Sequence, residues 1–184
     1  NKSTVERLIN SFYLSKIKNK YPHEISSGEI QRTQIIRALA SGPDLLLLDE
    51  PFSNINEDLK EELQFTLKGI IKKNEIATII VTHDISEAFY LSDKCGVIIE
   101  KNISQFDSPY NIHHYPNCID VMKFISRGSL IKVKVLDNKT VEHQVLGKIK
   151  GNFMTKPKIG KYVKLLVQPE DIVYDNKSTL KLKI

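Results

Sequence analysis

The run LLLLDE at residues 45–50 places the tightest constraint on the fold, because four consecutive leucines end abruptly in two carboxylates. Unbroken rather than alternating apolarity is typical of a strand that is covered on both faces, as in a parallel sheet. The segment ATIIVTHD (77–84) repeats this design, with an apolar stretch that ends in polar residues. We therefore expect two parallel strands, each buried on both faces.

A predicted helix over residues 56–73 joins these strands. Its apolar residues recur at i, i+4, i+8 and i+11 and form one stripe: Leu59, Leu63, Leu67 and Ile70. Strand, helix and strand with short links make a βαβ unit, whose strands run parallel and lie adjacent or nearly so. A short helix at 85–91 and a strand at 95–100 continue the alternation.

Two further helices are predicted before the first strand, over residues 4–15 and 30–40. Their inward-facing residues are expected to be Val5, Leu8, Ile9 and Phe12 in the first helix and Ile30, Ile35, Ile36 and Leu39 in the second. After residue 127 the segments LIKVKVL, TVEHQVLGKI and YVKLLVQ alternate or nearly so. That pattern predicts antiparallel β-structure without helices.

The charge of the chain changes together with this pattern. Residues 1–125 hold 14 Lys and Arg against 17 Asp and Glu, a net −3, whereas residues 126–184 hold 13 against 5, a net +8. We therefore expect a domain boundary near residues 108–127. No apolar run approaches the ~20 residues that span a membrane. Cys95 and Cys118 stand far apart and predict reduced thiols, which fits a cytosolic setting.

Polar residues at the predicted strand ends are the first candidates for chemistry. In an open parallel sheet, ligands bind beyond the carboxyl ends of the strands, where Asp49, Glu50 and His83 are expected. A carboxylate there can hold a hydrated Mg²⁺, a second can orient or deprotonate water, and a histidine can contact a developing phosphate charge. Strand ends are also polar because they meet water, but the two motifs together favour function.

The segment ISSGEIQR (25–32) predicts a helix start that also suits an anion. Ser26 and Glu29 fit the S-x-x-E capping box, in which each side chain satisfies a backbone N–H. A capped helix N-terminus also attracts phosphate through its free N–H groups and partial positive charge. Gly28 would let a phosphate approach the backbone closely. The cap and the phosphate interpretations are compatible.

In combination these motifs resemble the ATPase subunit of an ABC transporter. ISSGEIQR is similar to the family signature LSGGQ-x-QR, LLLLDEP (45–51) resembles Walker B with the catalytic glutamate, SNIN (53–56) occupies the place of the D-loop, and VTHD (81–84) carries the switch histidine. YPHE and RALA, on either side of the signature, also match. The resemblance is dense to about residue 125 and loose beyond it.

The resemblance implies a fold of class α/β, a partial P-loop NTPase with a RecA-like parallel sheet and part of the helical subdomain. Residues 1–108 would be the C-terminal portion of the ATPase domain and 109–126 a linker helix region. Residues 127–184 would form a small antiparallel, OB-like β domain, expected to be incomplete. Through FISRGS (124–129) and VQPEDI (167–172) it resembles the accessory TOBE domain of importer ATPases.

The resemblance also implies roles within the nucleotide site. Asp49 would assist coordination of Mg²⁺ through water, Glu50 would polarise the attacking water, and His83 would contact the γ-phosphate of ATP. These three residues match the family pattern, which argues against a dead enzyme.

A second group of residues would act across a dimer. Residues 26–29 (Ser26, Ser27, Gly28 and Glu29) would cap the nucleotide held by the opposite subunit, and Ser53 and Asn56 would lie at the dimer seam. Three of these depart from the family pattern: Ser27 replaces Gly, Glu29 replaces Gln and Asn56 replaces Asp. They would slow turnover or mark an asymmetric site, although capping-box pairing would hold the Glu29 charge away from the triphosphate.

The chain contains no G-x-x-x-x-G-K-[ST] phosphate cradle and lacks the Q-loop glutamine expected upstream of the signature. We expect both to precede Asn1 in a longer protein, so that this chain alone would not hydrolyse ATP. In the family, two ATPase subunits sandwich two nucleotides, and each signature closes the site of the other.

The function implied is that of the ATP-hydrolysing subunit of an ABC importer, with ATP and Mg²⁺ as cofactors and iron(III) as the suggested solute. Its partners would be a second copy in a homodimer, transmembrane permease subunits and, indirectly, a periplasmic solute-binding protein. It would lie peripherally on the cytoplasmic face of the inner membrane. A degenerate regulatory subunit, and a non-transport ABC ATPase acting on nucleic acid or ribosomes, remain open alternatives.

The basic β region permits nucleic-acid binding, because OB-like barrels often bind it and lysines give salt-dependent phosphate affinity. Its stacking aromatics are few, namely Phe153, Tyr162 and Tyr174. Lysines that alternate along strands are typical of a solvated face. Nucleic acid is therefore not the expected partner.

Overall fold

The computed structural model describes residues 2–126, 128–150 and 157–172. They fall into two compact units, divided between Cys95 and Gly96. The first contains α1 (Lys2–Ser11), α2 (Ser27–Ala40), β1 (Leu45–Asp49), α3 (Glu57–Lys73), β2 (Ala77–Val81) and α4 (Ile85–Leu91). From the division onward come β3 (Cys95–Ile99), β4 (Asn102–Asp107), α5 (Pro109–His114), α6 (Ile119–Ile125), β5 (Ser129–Val135), β6 (Thr140–His143), β7 (Gly147–Lys150) and β8 (Tyr162–Val167).

The predicted βαβ unit is confirmed. β1 and β2 pair directly and in parallel, with Asp49 opposite Val81 at the carboxyl ends. The connecting helix α3 buries Leu63 and Leu67 completely against the core. This register brings the polar residues that follow both strands to the same edge of the sheet.

The expectation that both faces of these strands are buried is wrong for the described residues. Leu46 and Leu48 join the helix-covered core and are 2% and 9% exposed. The opposite face is exposed along both strands: Leu45, Leu47, Ile79 and Val81. Successive side chains of a strand point to opposite faces, so a continuous apolar run alternates in burial when only one face is packed.

Helix α1 ends at Ser11 rather than at residue 15, because Tyr13 adopts the left-handed conformation with a φ of 56°. The N–H of Leu14 donates to the carbonyl of Ile9 at 2.9 Å, and that of Tyr13 donates to Asn10 at 3.1 Å. This pair of bonds is a Schellman motif, which closes a helix. It turns Leu14 back into the core, where it is 2% exposed.

Two residues that were predicted to face inward are exposed, namely Val5 and Ile30. Successive residues of an α-helix are rotated by about 100° about the helix axis. Ile30 therefore lies about 200° from Arg32, the first residue of the buried stripe of α2. Val5 lies near the start of α1, three positions before Leu8, which is the buried residue of that helix. The remaining predictions for these two helices are confirmed as buried or packed against the core: Leu8, Ile9, Phe12, Ile35, Ile36 and Leu39.

The second unit contains two sheets. β3 pairs with β4 across Glu100 and Lys101, both with positive φ, as type I′ hairpin turns require. The sequence did not reveal β4. The predicted antiparallel sheet after residue 127 is confirmed, with strand order β7-β6-β5-β8. TVEHQVLGKI forms two of its strands, because the chain turns back before Gly147, whose φ is 69°.

One face of this four-stranded sheet is solvated and basic. Lys132 and Lys134 alternate with fully buried valines along β5. The Lys132 ammonium group lies 4.8 Å from the ring centroid of Tyr162, while Phe153 and Tyr174 lie outside the described residues. Both cysteines are free thiols. Among the described residues, no helix combines the length and apolarity that a membrane crossing requires.

Candidate functional site

The ends of the paired strands bring Glu50 and His83 into direct contact. Glu50 follows β1, and its N–H donates to the carbonyl of Val81 at 2.8 Å, which extends the ladder by one bond. The Glu50 Oε1 atom accepts from the backbone N–H of His83 at 3.2 Å and lies 2.7 Å from its ring Nδ1. Two residues that are 33 positions apart in sequence thus form one acid–imidazole pair.

Glu50 is held in an unfavourable backbone conformation. Its φ is 47°, in the left-handed region that residues other than glycine rarely adopt. Its carbonyl accepts from the N–H and hydroxyl of Ser53 at 3.3 and 3.1 Å, and also from the side-chain amide of Gln31. Such conformations persist where surrounding contacts fix them, and they are frequent at functional sites.

The Glu50–His83 pair is open to water. The His83 side chain is 78% exposed and that of Glu50 is 36% exposed. The hydrogen bond to Glu50, and the charge of Glu50, raise the pKa of His83. Both residues, with Ser53, line an open cavity of about 240 Å³. The pair can therefore meet a bound polar ligand and an incoming water molecule.

The residue after His83 is anchored by a buried lysine. Asp84 caps α4 by accepting from the N–H groups of Ser86 and Glu87 at 2.9 and 3.1 Å, and it also accepts from Lys60 Nζ. The hydrogen bond between them raises the pKa of Lys60 and lowers that of Asp84. Burial raises the pKa of Glu87, whose Oε1 has no hydrogen-bond partner. His83 therefore precedes a firmly capped helix.

The predicted capping box at the start of α2 is confirmed. Ser26 is the N-cap and Ser27 the first helical residue. The Ser26 hydroxyl accepts from the N–H of Glu29 at 3.3 Å, and Glu29 Oε2 accepts from the N–H and hydroxyl of Ser26 at 2.8 and 2.9 Å. The backbone bond from Ser26, followed by the hydroxyl bond, lowers the pKa of Glu29. The carboxylate is thus directed onto the cap.

Gly28 has a packing reason to be glycine. A Cβ atom there would lie 2.7 Å from the carbonyl oxygen of Asn54, closer than such contacts occur. The start of α2 therefore lies directly against the segment 53–56. The close approach of a phosphate to Gly28 stays a prediction.

The other predicted residues lie around the same edge. Asp49 is exposed at the end of β1, and Ser53 is exposed beside Glu50. Asn56 is the N-cap of α3 but makes no capping hydrogen bond through its side chain, which is exposed. In the described ranges, no three His, Cys, Asp or Glu side chains form a metal cluster. A single carboxylate such as that of Asp49 is sufficient for a hydrated Mg²⁺ whose other ligands are water and phosphate oxygens.

Known ATP-binding proteins and an ABC transporter cassette are similar to this chain in sequence and in fold. Residues 1–53 match the sequence model of the ABC transporter family. The spermidine/putrescine import ATP-binding protein PotA of Mycoplasmopsis synoviae is 37% identical over 171 residues, which is 92% of this chain and 37% of that protein. The Fe(3+) ions import ATP-binding protein FbpC of Haemophilus influenzae is 31% identical over 144 residues, or 78% of this chain and 41% of that protein.

The chain is thus similar to import ATP-binding proteins and, over residues 1–53, to the ABC transporter family. It spans less than half the length of these two relatives. The dimeric structure of MJ0796, a bacterial ABC transporter cassette, superposes with a TM-score of 0.54 at 23% identity, over 59% of this chain and 47% of that one. This likeness confirms the predicted fold class, part of an ABC ATPase cassette.

Sequence reasoning missed two residues that support this site, Gln31 and Lys60. Gln31 lies inside the quoted signature segment, yet its contact with Glu50 was not foreseen. Lys60 appears in sequence as an ordinary polar position of α3, although its side chain is buried and bonded to Asp84. The sequence held one indirect signal for each of these residues. Gln31 lies within ISSGEIQR, and Asp84, which binds Lys60, lies within VTHD.

We expect Ser26→Ala to destabilise the protein by about 1 kcal/mol, because the α2 N-cap loses its acceptor for the N–H of Glu29. Urea unfolding followed by circular dichroism measures this loss. Ser27→Ala is the matched control, since Ser27 is exposed and outside the capping box. Equal midpoints for the two variants would contradict the capping role.

The pairing of His83 with Glu50 predicts a pH dependence. The pKa of His83 is raised in the folded protein, so the charged imidazole stabilises the folded state through Glu50. This stabilisation is fully present below the ordinary histidine pKa of about 6.5 and is lost as the pH rises through the pKa in the folded protein. We expect Glu50→Gln to lower the pKa of His83 toward its ordinary value, measured by NMR titration of the ring proton. Glu61→Gln, on the exposed surface of α3, should leave it unchanged. An unchanged midpoint in Glu50→Gln would refute the pairing.

Proposed function

We propose that this chain is part of the ATP-hydrolysing subunit of an ABC importer. The observation that carries the proposal is the 2.7 Å contact between Glu50 and His83 at the carboxyl ends of two paired parallel strands. In open α/β sheets this edge is where ligands bind. The relation to import ATP-binding proteins supports ATP as the ligand.

Each residue of the pair has a distinct role in the proposal. Glu50 accepts a proton from, or orients, the water that attacks phosphorus, and His83 donates a hydrogen bond to the γ-phosphate. The raised pKa of His83 favours its charged form, which suits a phosphate partner. Asp49 would hold Mg²⁺ through water, and the ion would neutralise charge that develops on the phosphate oxygens.

We propose that a second copy of the subunit completes each site. The turn formed by Ser26, Ser27, Gly28 and Glu29 would close the nucleotide of the partner. It is capped, and its two serines are exposed. The capping box pairs the Glu29 carboxylate with Ser26 and the Ser26 hydroxyl with the N–H of Glu29, so the N–H groups of Ser27 and Gly28 are the ones left for an anion in this proposal. Ser53 and Asn56, both exposed, would lie at the seam.

The domain assignment and the setting are part of the same proposal. Residues 1–108 would belong to the ATPase domain, 109–126 to a linker helix region and 127–184 to a TOBE-like β domain. The subunit would dock on transmembrane permease subunits at the cytoplasmic face of the membrane and serve a periplasmic binding protein indirectly. Nucleic acid is not a partner in this proposal, since lysines that alternate with buried valines along β5 are typical of a solvated face.

Two solutes are candidates for the importer. Iron(III) is the one that the sequence suggested, and the similarity to FbpC supports it. A polyamine has stronger support, because PotA of Mycoplasmopsis synoviae is more similar and matches more of the chain, at 37% identity over 92% against 31% over 78%. We therefore propose a polyamine first and iron(III) second.

The ATPase assignment is tested with the full-length protein. Glu50→Gln should lower the rate of phosphate release at least a hundredfold while retaining ATP binding, because a positioned base typically contributes 10²- to 10⁴-fold. Glu61→Gln should hydrolyse ATP at the rate of the unaltered protein. Equal, near-zero rates in the unaltered protein and in Glu50→Gln would instead favour a regulatory subunit.

The solute is tested by transport. Proteoliposomes that contain the full-length protein with its permease and binding protein should take up radiolabelled spermidine when supplied with ATP. The same vesicles supplied with iron(III) serve as the comparison. Uptake of iron(III) without spermidine would reverse the order of the two candidates.

A further inference from the structure

One side chain joins the start of α2 to the turn that carries Glu50. Gln31 lies on α2, shortly after the capping box, and its Nε2 donates to the Glu50 carbonyl and to the Ser53 hydroxyl, the latter at 3.1 Å. Its Oε1 accepts from the N–H of Asn54 at 3.1 Å. Both halves of the amide are therefore used on one short segment, residues 50–54.

These contacts require glutamine. A single planar amide carries both a carbonyl acceptor and an NH₂ group with two donors, which are the groups that this turn needs. A glutamate at position 31 would keep the acceptor for Asn54 but would face the Glu50 carbonyl without a donor. A methionine would have a similar length and would make neither bond.

The segment held by Gln31 is the strained part of the site. Glu50 has a φ of 47°, and its side chain contacts His83 from that conformation. On the other side of the same segment, the carbonyl of Asn54 lies so close to Gly28 that a Cβ there would be 2.7 Å away. The helix start and the turn therefore cannot shift independently without breaking these contacts.

We propose that Gln31 is a positioning residue that holds Glu50 in its working conformation and couples it to the Ser26–Glu29 turn of the same subunit. This inference rests on the proposed function, in which that turn closes the nucleotide of the partner. Through Gln31, closure on the partner's nucleotide reaches the water-activating glutamate of the subunit that provides the turn. One side chain thus links the two ATP sites of the dimer.

The test compares three variants of the full-length protein. Gln31→Met removes both bonding functions, Gln31→Glu removes the donors and keeps the acceptor, and Gln34→Met is the control. Gln34 is exposed on the same helix. Steady-state ATP hydrolysis gives kcat and KM, and NMR hydrogen exchange reports the Asn54 amide directly.

We expect kcat to fall about tenfold in both Gln31 variants, which corresponds to about 1.4 kcal/mol in the activation free energy. The KM for ATP should stay within about twofold of that of the unaltered protein. The Asn54 amide should exchange rapidly in Gln31→Met but remain protected in Gln31→Glu and Gln34→Met. A loss of kcat in both variants, with Asn54 still protected in Gln31→Glu, would assign the effect to the bonds that Nε2 donates to the Glu50 carbonyl and the Ser53 hydroxyl.

Coupling is tested by combining Ser26→Ala with Gln31→Met in a double-mutant cycle. Because Gln31 transmits the state of the turn, Ser26→Ala should lower kcat less in the Gln31→Met background than in the unaltered protein. Strictly multiplicative effects would overturn the coupling. A kcat for both Gln31 variants equal to that of Gln34→Met would overturn the positioning role.

The outcome also separates this inference from the function on which it rests. If the full-length protein does not hydrolyse ATP, the proposed function fails, yet the exchange rate of the Asn54 amide still reports whether Gln31 holds the turn. If hydrolysis is normal and Asn54 exchanges equally in all variants, the inference alone fails. Should Gln31→Met not fold, the Gln31→Glu variant decides by its kcat.

Discussion

The parallel register between β1 and β2 is the constraint on which the rest of the site depends. It sets Asp49 opposite Val81, and the next backbone bond, from Glu50 to Val81, places the acid beside His83. A slip of one residue would turn Leu46 and Leu48 out of the core, so the buried face fixes the register. Core packing on one side of the sheet thereby determines the chemistry at its edge.

Around that edge, charged side chains are held by local hydrogen bonds. Glu29 is bound to its own N-cap, Asp84 to the start of α4 and to Lys60, and Glu50 to His83. Each carboxylate therefore has a fixed direction before any ligand arrives. The Glu29 carboxylate, for example, is directed at the N–H and the hydroxyl of Ser26.

At the same edge of the sheet, the strained backbone of Glu50 is held by hydrogen bonds with its surroundings. Glu50 occupies a backbone conformation that is rare for its residue type, and hydrogen bonds with three residues hold it. Val81 fixes its N–H, while Gln31 and Ser53 fix its carbonyl. Because the supports come from β2, from α2 and from the turn itself, the position of the carboxylate depends on all three elements.

Local pattern was sufficient for several features of this chain. The span of α4, the stripe of α3, the parallel pairing of the first two strands and the capping box at Ser26 were all predicted, because each depends on residues close together in sequence or on the short links of a βαβ unit. The motif order also predicted the fold class. These features follow from periodicity, caps and chain connectivity.

Tertiary structure alone decided the contacts between distant segments. The exposed second face of β1, the exposure of Ile30 and the burial of Lys60 depend on what packs against each element. Gln31 shows the reason: its amide serves the backbone of residues 50–54, about 20 positions away, and its sequence neighbours carry no trace of that partner. Periodicity identifies the face that a residue occupies, but only the packed chain determines which atoms meet there.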